Sequence, residues 1–173
     1  MGRSRNSDEG RVGESWIRNS GEDLIHTGID CSSRAVHATL IDDQGALIES
    51  VKFLAVGKTA ADRFPDIAKG LVALPDIVYG GTVAIEKPLY FKNPHSTISI
   101  SEVVGAVKGI LEMSNISYKT VDNRVWKKAV VGMGNASKED IMKYAIKYFS
   151  SQFVEQDWAD AACIALWRKR REE

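Results

Sequence analysis

The chain has 173 residues, a length that suits one compact domain with a sizeable core. Hydrophobic residues make up 44% and charged residues 27%, which excludes a wholly disordered chain, and no apolar run approaches the roughly 20 residues that a membrane-spanning helix needs. Lys plus Arg, 23, equals Asp plus Glu, 23, so no overall basic field draws the protein to nucleic acid, and any such affinity must come from charge segregated onto one face.

Residues 1–23 (MGRSRNSDEGRVGESWIRNSGED) are rich in Gly, Ser and charge, with Val12, Trp16 and Ile17 as their apolar anchors. They cannot bury enough surface to fold alone and are expected to form a flexible N-terminal extension, leaving 24–173 as the folded domain. Leu24–Asp30 (LIHTGID), Ala35–Ile41 (AVHATLI) and Ala46–Leu54 (ALIESVKFL) carry β-type residues, and Asp42-Asp43-Gln44-Gly45 between the last two is hairpin chemistry with Gly available for positive φ. Three consecutive antiparallel strands are expected. From Thr59 to Leu74 apolar residues recur at helical spacing until Pro75 and Gly80-Gly81 end the run. Thr82–Glu86 (TVAIE) reads as a central buried strand closing on an acid. Pro94–Met113 is helical, with Gly105, Ala106 and Gly109 small enough for close packing, and Ser117–Val121 supplies a fifth strand. Helices near Arg124–Val130, Lys138–Phe149 (capped by Ser137) and Asp157–Arg170 complete the chain. The order predicts an α/β fold, a mixed five-stranded sheet (three antiparallel strands, then parallel ones) flanked by helices.

Four acids stand out by position. Asp30 ends the first strand, Glu86 ends the fourth, and Asp157 and Asp160 open the last helix. A carboxylate at a sheet's rim costs desolvation unless a cation or a donor neutralises it. Asp157 and Asp160 are three residues apart, so on a helix both face one way and can reach one ion. A cluster of oxygen ligands without His or Cys suits Mg²⁺, with Mn²⁺ as its substitute. If the four converge they can hold two ions, the arrangement that activates a water and stabilises the leaving oxygen in phosphodiester hydrolysis.

The same residues carry a family resemblance. GIDCSSRAVHATLID resembles the first hairpin of the RuvC-type Holliday junction resolvases, members of the RNase H-like superfamily. AIEKPLYFKNPHSTISISEVVGAVKGIL resembles their Glu-ended strand and long helix, VWKKAVVGMGNASKEDI their Val-Lys to Val-Val-Gly-x-Gly to Lys segment, and DWADAACIAL their Asp-x-x-Asp-Ala helix. Four blocks in the family's order, from about Leu24 to Arg170, are far more specific than any one of them. The resemblance implies that Asp30, Glu86, Asp157 and Asp160 are catalytic metal ligands and that Lys127 and Lys138 approach DNA phosphates, where lysines release counterions. It also implies a stacking residue just after the Glu. The matching position here is Leu89 rather than an aromatic, with Tyr90 and Phe91 next, so the whole Leu89-Tyr90-Phe91-Lys92-Asn93 loop is the expected contact with unstacked bases. A homodimer follows from the same resemblance and would set two active sites on a symmetric four-way junction.

Simpler readings compete. Asp157 and Asp160 could serve only the helix dipole, Asp30 a turn, Glu86 an ion pair with Lys87, and the two lysines a solvated face. Val130-Val131-Gly132-Met133-Gly134 lacks the Gly-Lys-Ser/Thr ending of a phosphate loop and reads as a tight turn. The tail Arg168-Lys169-Arg170-Arg171 reads as a solvated helix end that complements the dipole, with DNA contact as the alternative. Cys31 and Cys163 show neither zinc nor disulfide spacing and read as small buried hydrophobes in a reducing compartment. With no signal-peptide core, a cytoplasmic location is expected. The functional expectation is a crossover junction endodeoxyribonuclease making paired symmetric nicks in Holliday junctions. The close rival is a less selective fork and flap nuclease of the same fold, as in a bacteriophage. A non-catalytic junction-binding protein would tolerate loss of an acid, and a sugar-kinase or actin-like nucleotide binder would need a second domain.

Overall fold

The computed structural model describes residues 24–88 and 93–172. Five strands form one sheet in the order β3-β2-β1-β4-β5. Strands β1 (His26–Cys31), β2 (Ala35–Ile41) and β3 (Leu47–Leu54) run antiparallel, while β4 (Thr82–Glu86) lies parallel to β1 and β5 (Tyr118–Val121) parallel to β4. This is the expected sheet. Its hairpin turn uses the expected chemistry: the Asp42 carboxylate accepts from the Gln44 and Ala46 amides, and Gly45 sits at φ 83°.

Helices α1 (Ala60–Leu71), α2 (Leu74–Val78), α3 (Pro94–Met113), α4 (Asn123–Val130), α5 (Lys138–Phe149) and α6 (Gln156–Lys169) cover the faces. One boundary departs from the sequence reading. The run expected to reach Leu74 stops at Leu71, and a separate short helix starts at Leu74 with Pro75 in its first turn, where the missing N–H had no helical partner to lose. Capping boxes start α1 (Thr59 with Asp62) and α5 (Ser137 with Asp140).

Strand alternation divides the core. On one face Ile29, Val83 and Ile85 pack against Ile67 and Leu71 of α1, Leu74 and Val78 of α2, and Val103, Val104, Val107 and Leu111 of α3. On the other, Ala84 and Ile41 meet Trp126 of α4, Ile141 of α5 and the nearly continuous buried run of α6 from Ala159 to Trp167. Here α6 lies directly on β1. A Cβ added at Gly28 would stand 2.0 Å from the Ala161 carbonyl oxygen and 2.2 Å from the Ala165 amide nitrogen. The strand partners of Gly28, Thr39 and Ala84, are also small, so a trough runs across the sheet beneath the helix.

Three expectations are corrected. Gly105 and Gly109 do not mediate packing among the described residues: none of these lies within 4 Å of where their Cβ atoms would be, and α3 packs through its valines instead. The basic tail is not simply solvated either. Arg168 is buried and paired with Glu172, and Arg170 donates to the Ala129 carbonyl at 2.8 Å and the Tyr144 hydroxyl at 3.0 Å. Cys31 is half-buried rather than buried, Cys163 is fully buried, and both are free. Among the described residues no helix is long and apolar enough to cross a membrane.

Candidate metal centre

Parallel pairing of β1 with β4 puts Ile29 opposite Ile85, so the acids that follow, Asp30 and Glu86, emerge at the same rim of the sheet. Period-2 alternation places Asp30 on the face of Gly28 and Glu86 on the face of Ala84, which is the face α6 covers. The first two turns of α6 then bring Asp157 and Asp160 over that rim. Carboxylate oxygens of Asp30, Asp157 and Asp160 all lie within 4.8 Å of one another. Glu86, at the neighbouring strand end on the same rim, lies close enough for its charge to act on both Asp30 and Asp160.

Four acids so close repel. Removal from water, then the charges of Glu86, Asp160 and Asp157, hold the Asp30 carboxyl well above the usual range. Burial likewise pushes Asp160 up to about 6, although the Gln156 amide, donating at 2.9 Å, and the charge of Lys127 pull it back. Divalent cations would relieve this conflict. The donor set, clustered oxygens whose negative charge exceeds what the nearby amides and Lys127 offset, fits such an ion.

Three supporting residues escaped the sequence reading. Glu86 Oε1 accepts from Asn123 Nδ2 at 2.6 Å and from Trp126 Nε1 at 2.9 Å, and Gln156 steadies Asp160. For Asn123 and Trp126 the signal was topological: β5 pairs Val121 with Glu86, so the first turn of α4 must pass beside that carboxylate. Glu86 does not pair with Lys87, which reaches Asp122 at 3.0 Å instead. His37, the strand partner of Asp30, also projects towards α6, and burial holds its imidazole below the usual range.

Lys127 is brought to the centre's margin, where its ammonium lies over the Trp126 ring at 5.6 Å and donates to the Ala136 carbonyl at 3.3 Å. Lys138 is exposed in the first turn of α5. Asn93 caps α3, its side-chain oxygen accepting from the His95 amide at 3.0 Å. Leu89, Tyr90, Phe91 and Lys92 lie outside the described residues. Gly132, at φ 95°, makes the tight turn expected after α4.

The charge conflict has a thermodynamic signature. A carboxyl raised in the folded state binds more protons folded than unfolded, so stability falls as pH climbs from about 4 through the folded value. Asp43, Asp62, Asp140, Glu155 and Glu172 are shifted down and matter only as pH drops to about 4 and below, whereas His37 acts oppositely, favouring the fold as pH rises towards 6.5. Comparison with Asp160→Asn subtracts those contributions. In EDTA the two proteins should melt alike near pH 4, and above pH 6 the variant should be more stable by roughly 3 kcal/mol, the cost of moving Asp160 from 3.8 to about 6. Parallel melting profiles across that range would show the acids are not in conflict.

A family model described as crossover junction endodeoxyribonuclease RuvC matches residues 26–168. The RuvC of Salinibacter ruber is 29% identical over 155 residues, 86% of this chain and 87% of that protein. The RuvC of Brachyspira hyodysenteriae is 32% identical over 83 residues, a match spanning 48% of this chain and about half, 52%, of that relative's length. Among solved structures, Thermus thermophilus RuvC in complex with Holliday junction substrate superposes with a TM-score of 0.70 at 17% identity, covering 83% of this chain and 92% of that one.

Proposed function

Because the chain belongs to the RuvC family of crossover junction endodeoxyribonucleases, we propose that it resolves four-way DNA junctions by paired symmetric nicks, as a metal-dependent, structure-selective endonuclease. The observation that supports this reading is the cluster of Asp30, Asp157 and Asp160, with Glu86 at the adjoining strand end, on one rim of the sheet inside the matched region. Those four side chains would hold two Mg²⁺ ions, with Mn²⁺ able to substitute. Bound there, the ions would supply activation of the attacking water and neutralisation of the charge that builds on the scissile phosphate.

The chain's own residues do the rest. Asn123 and Trp126 keep Glu86 aimed at the rim, and Gln156 does the same for Asp160. Lys127, at the margin of the cluster, and Lys138 draw the phosphodiester backbone to the acidic site, which would otherwise repel it. The segment from Leu89 to Asn93 meets unstacked bases at the junction centre. A homodimer completes the reading by presenting two sites to a two-fold symmetric junction. The outward face of α3 supports it: Ile98 and Met113 are exposed there, flanking Gly105 and Gly109 with open space before both glycines.

The test is cleavage of labelled four-way junction, flap, fork and linear duplex DNA, with Mg²⁺ and with EDTA, on a denaturing gel. Symmetric, metal-dependent nicks confined to the four-way junction are expected. Cuts across all branched forms would mean a general debranching nuclease, and no cleavage of any substrate would leave a junction-binding protein.

A further inference from the structure

His37 is an odd occupant of a central strand. Its side chain is 3% exposed, and among the described residues neither ring nitrogen makes a well-formed hydrogen bond. Nε2 lies 3.4 Å from Glu155 Oε2, and Glu155 is itself held by the Lys52 ammonium at 2.6 and 2.8 Å. On the other side Nδ1 faces Asp157 Oδ2 at 3.8 Å, while Trp158 closes the ring in at 6.2 Å.

A neutral imidazole offers one N–H and one lone pair. With the proton on Nε2, towards Glu155, the lone pair of Nδ1 points at a carboxylate that is itself an acceptor. Two acceptors facing each other in a buried place are unfavourable unless a cation lies between them. Their 3.8 Å separation is too long for a hydrogen bond, yet two ligands of one ion, each bonded at about 2.1 Å, lie roughly 3 to 4 Å apart. A carboxylate that orients a histidine whose second nitrogen meets a metal is a recurring arrangement of metal sites. Lys52, Glu155 and His37 reproduce that relay, running from the sheet's edge into the acidic cluster.

We propose that His37 Nδ1 is a nitrogen ligand of the divalent-cation site, sharing an ion with Asp157 and oriented by Glu155 and Lys52. The inference rests on the metal-binding reading above and changes its chemistry. A purely oxygen donor set favours hard Mg²⁺, whereas an added imidazole shifts preference towards Mn²⁺ and other borderline ions.

The experiment uses the full chain without DNA, loaded with Mn²⁺ and read by electron spin echo envelope modulation. A coordinated imidazole imprints ¹⁴N modulation on the Mn²⁺ echo, which is expected in the unmodified protein and absent in His37→Gln. Mn²⁺ affinity should drop about tenfold in that variant, with Mg²⁺ affinity, measured by competition, changing much less. The spectrum of the unmodified protein decides even if the variant fails to fold. Bound Mn²⁺ without nitrogen modulation overturns the ligand role while leaving the carboxylate centre intact, and so does an equal loss of affinity for both ions. Failure of the nuclease reading itself is read separately, in the junction cleavage assay with Mg²⁺.

Discussion

Asp160→Asn should lower single-turnover junction cleavage by roughly a thousandfold or more while leaving junction affinity, measured by gel shift in EDTA, within a few-fold of the unmodified protein. The substitution keeps the shape of the side chain and can still bond to Gln156, so neither α6 nor its neighbours need to move. What it removes is a negative charge beside Asp30 and Asp157, and a neutral amide neither balances a divalent cation nor relinquishes a proton to admit one. Relief of repulsion should also leave the metal-free variant more stable above pH 6, so lost activity accompanied by raised stability excludes misfolding as its cause. Cleavage equal to that of the unmodified protein would sink the carboxylate mechanism.

Gly28→Ala should be the most damaging added methyl among the described glycines, destabilising the protein by about 4 kcal/mol or more, a large share of the roughly 5–15 kcal/mol that holds a typical domain together. The added Cβ would fall 2.0 Å from one backbone atom of α6 and 2.2 Å from another, and backbone cannot rotate away as a side chain can. Relief requires lifting the helix off β1. Whatever fraction of the chain still folds would then carry Asp157 and Asp160 displaced from Asp30, and a shift of about 1 Å at reacting groups costs on the order of a hundredfold in rate. Chemical denaturation and the cleavage assay check both effects. A variant that folds with unchanged midpoint would mean that α6 rides higher on the sheet.

Most of the scaffold was legible because its signals were local. The Asp42-to-Gly45 turn, the Ser137 cap and the apolar TVAIE strand each announced an element without reference to the rest of the chain. The four acids were legible as well, since strand ends and a helix start are odd places for a carboxylate, and the resemblance ordered them. What stayed hidden depends on contacts between elements. Trp126 looks like any core aromatic until β5 is paired with β4, and only then does its indole N–H fall on Glu86. His37 looks like a polar interruption of β2 until the hairpin register sets it against Asp30. Gly105 and Gly109 misled for the opposite reason: their spacing suggests packing, but spacing does not say whether the partner lies in the same chain. The break between α1 and α2 escaped because Pro75 stops one helix and starts another equally well.

Helix α6 supplies two of the four acids from its first two turns and is buried along almost all the rest of its length. A helix buried in this way is costly to open locally, because releasing its first turn drags on contacts that hold the whole sheet. Under the nuclease reading, nothing among the described residues offers a resting state in which the domain stays folded with these acids pulled apart. Restraint over when DNA is cut therefore has to be exerted from outside the fold, through the supply of ions, the shape of the DNA, or the meeting of two subunits.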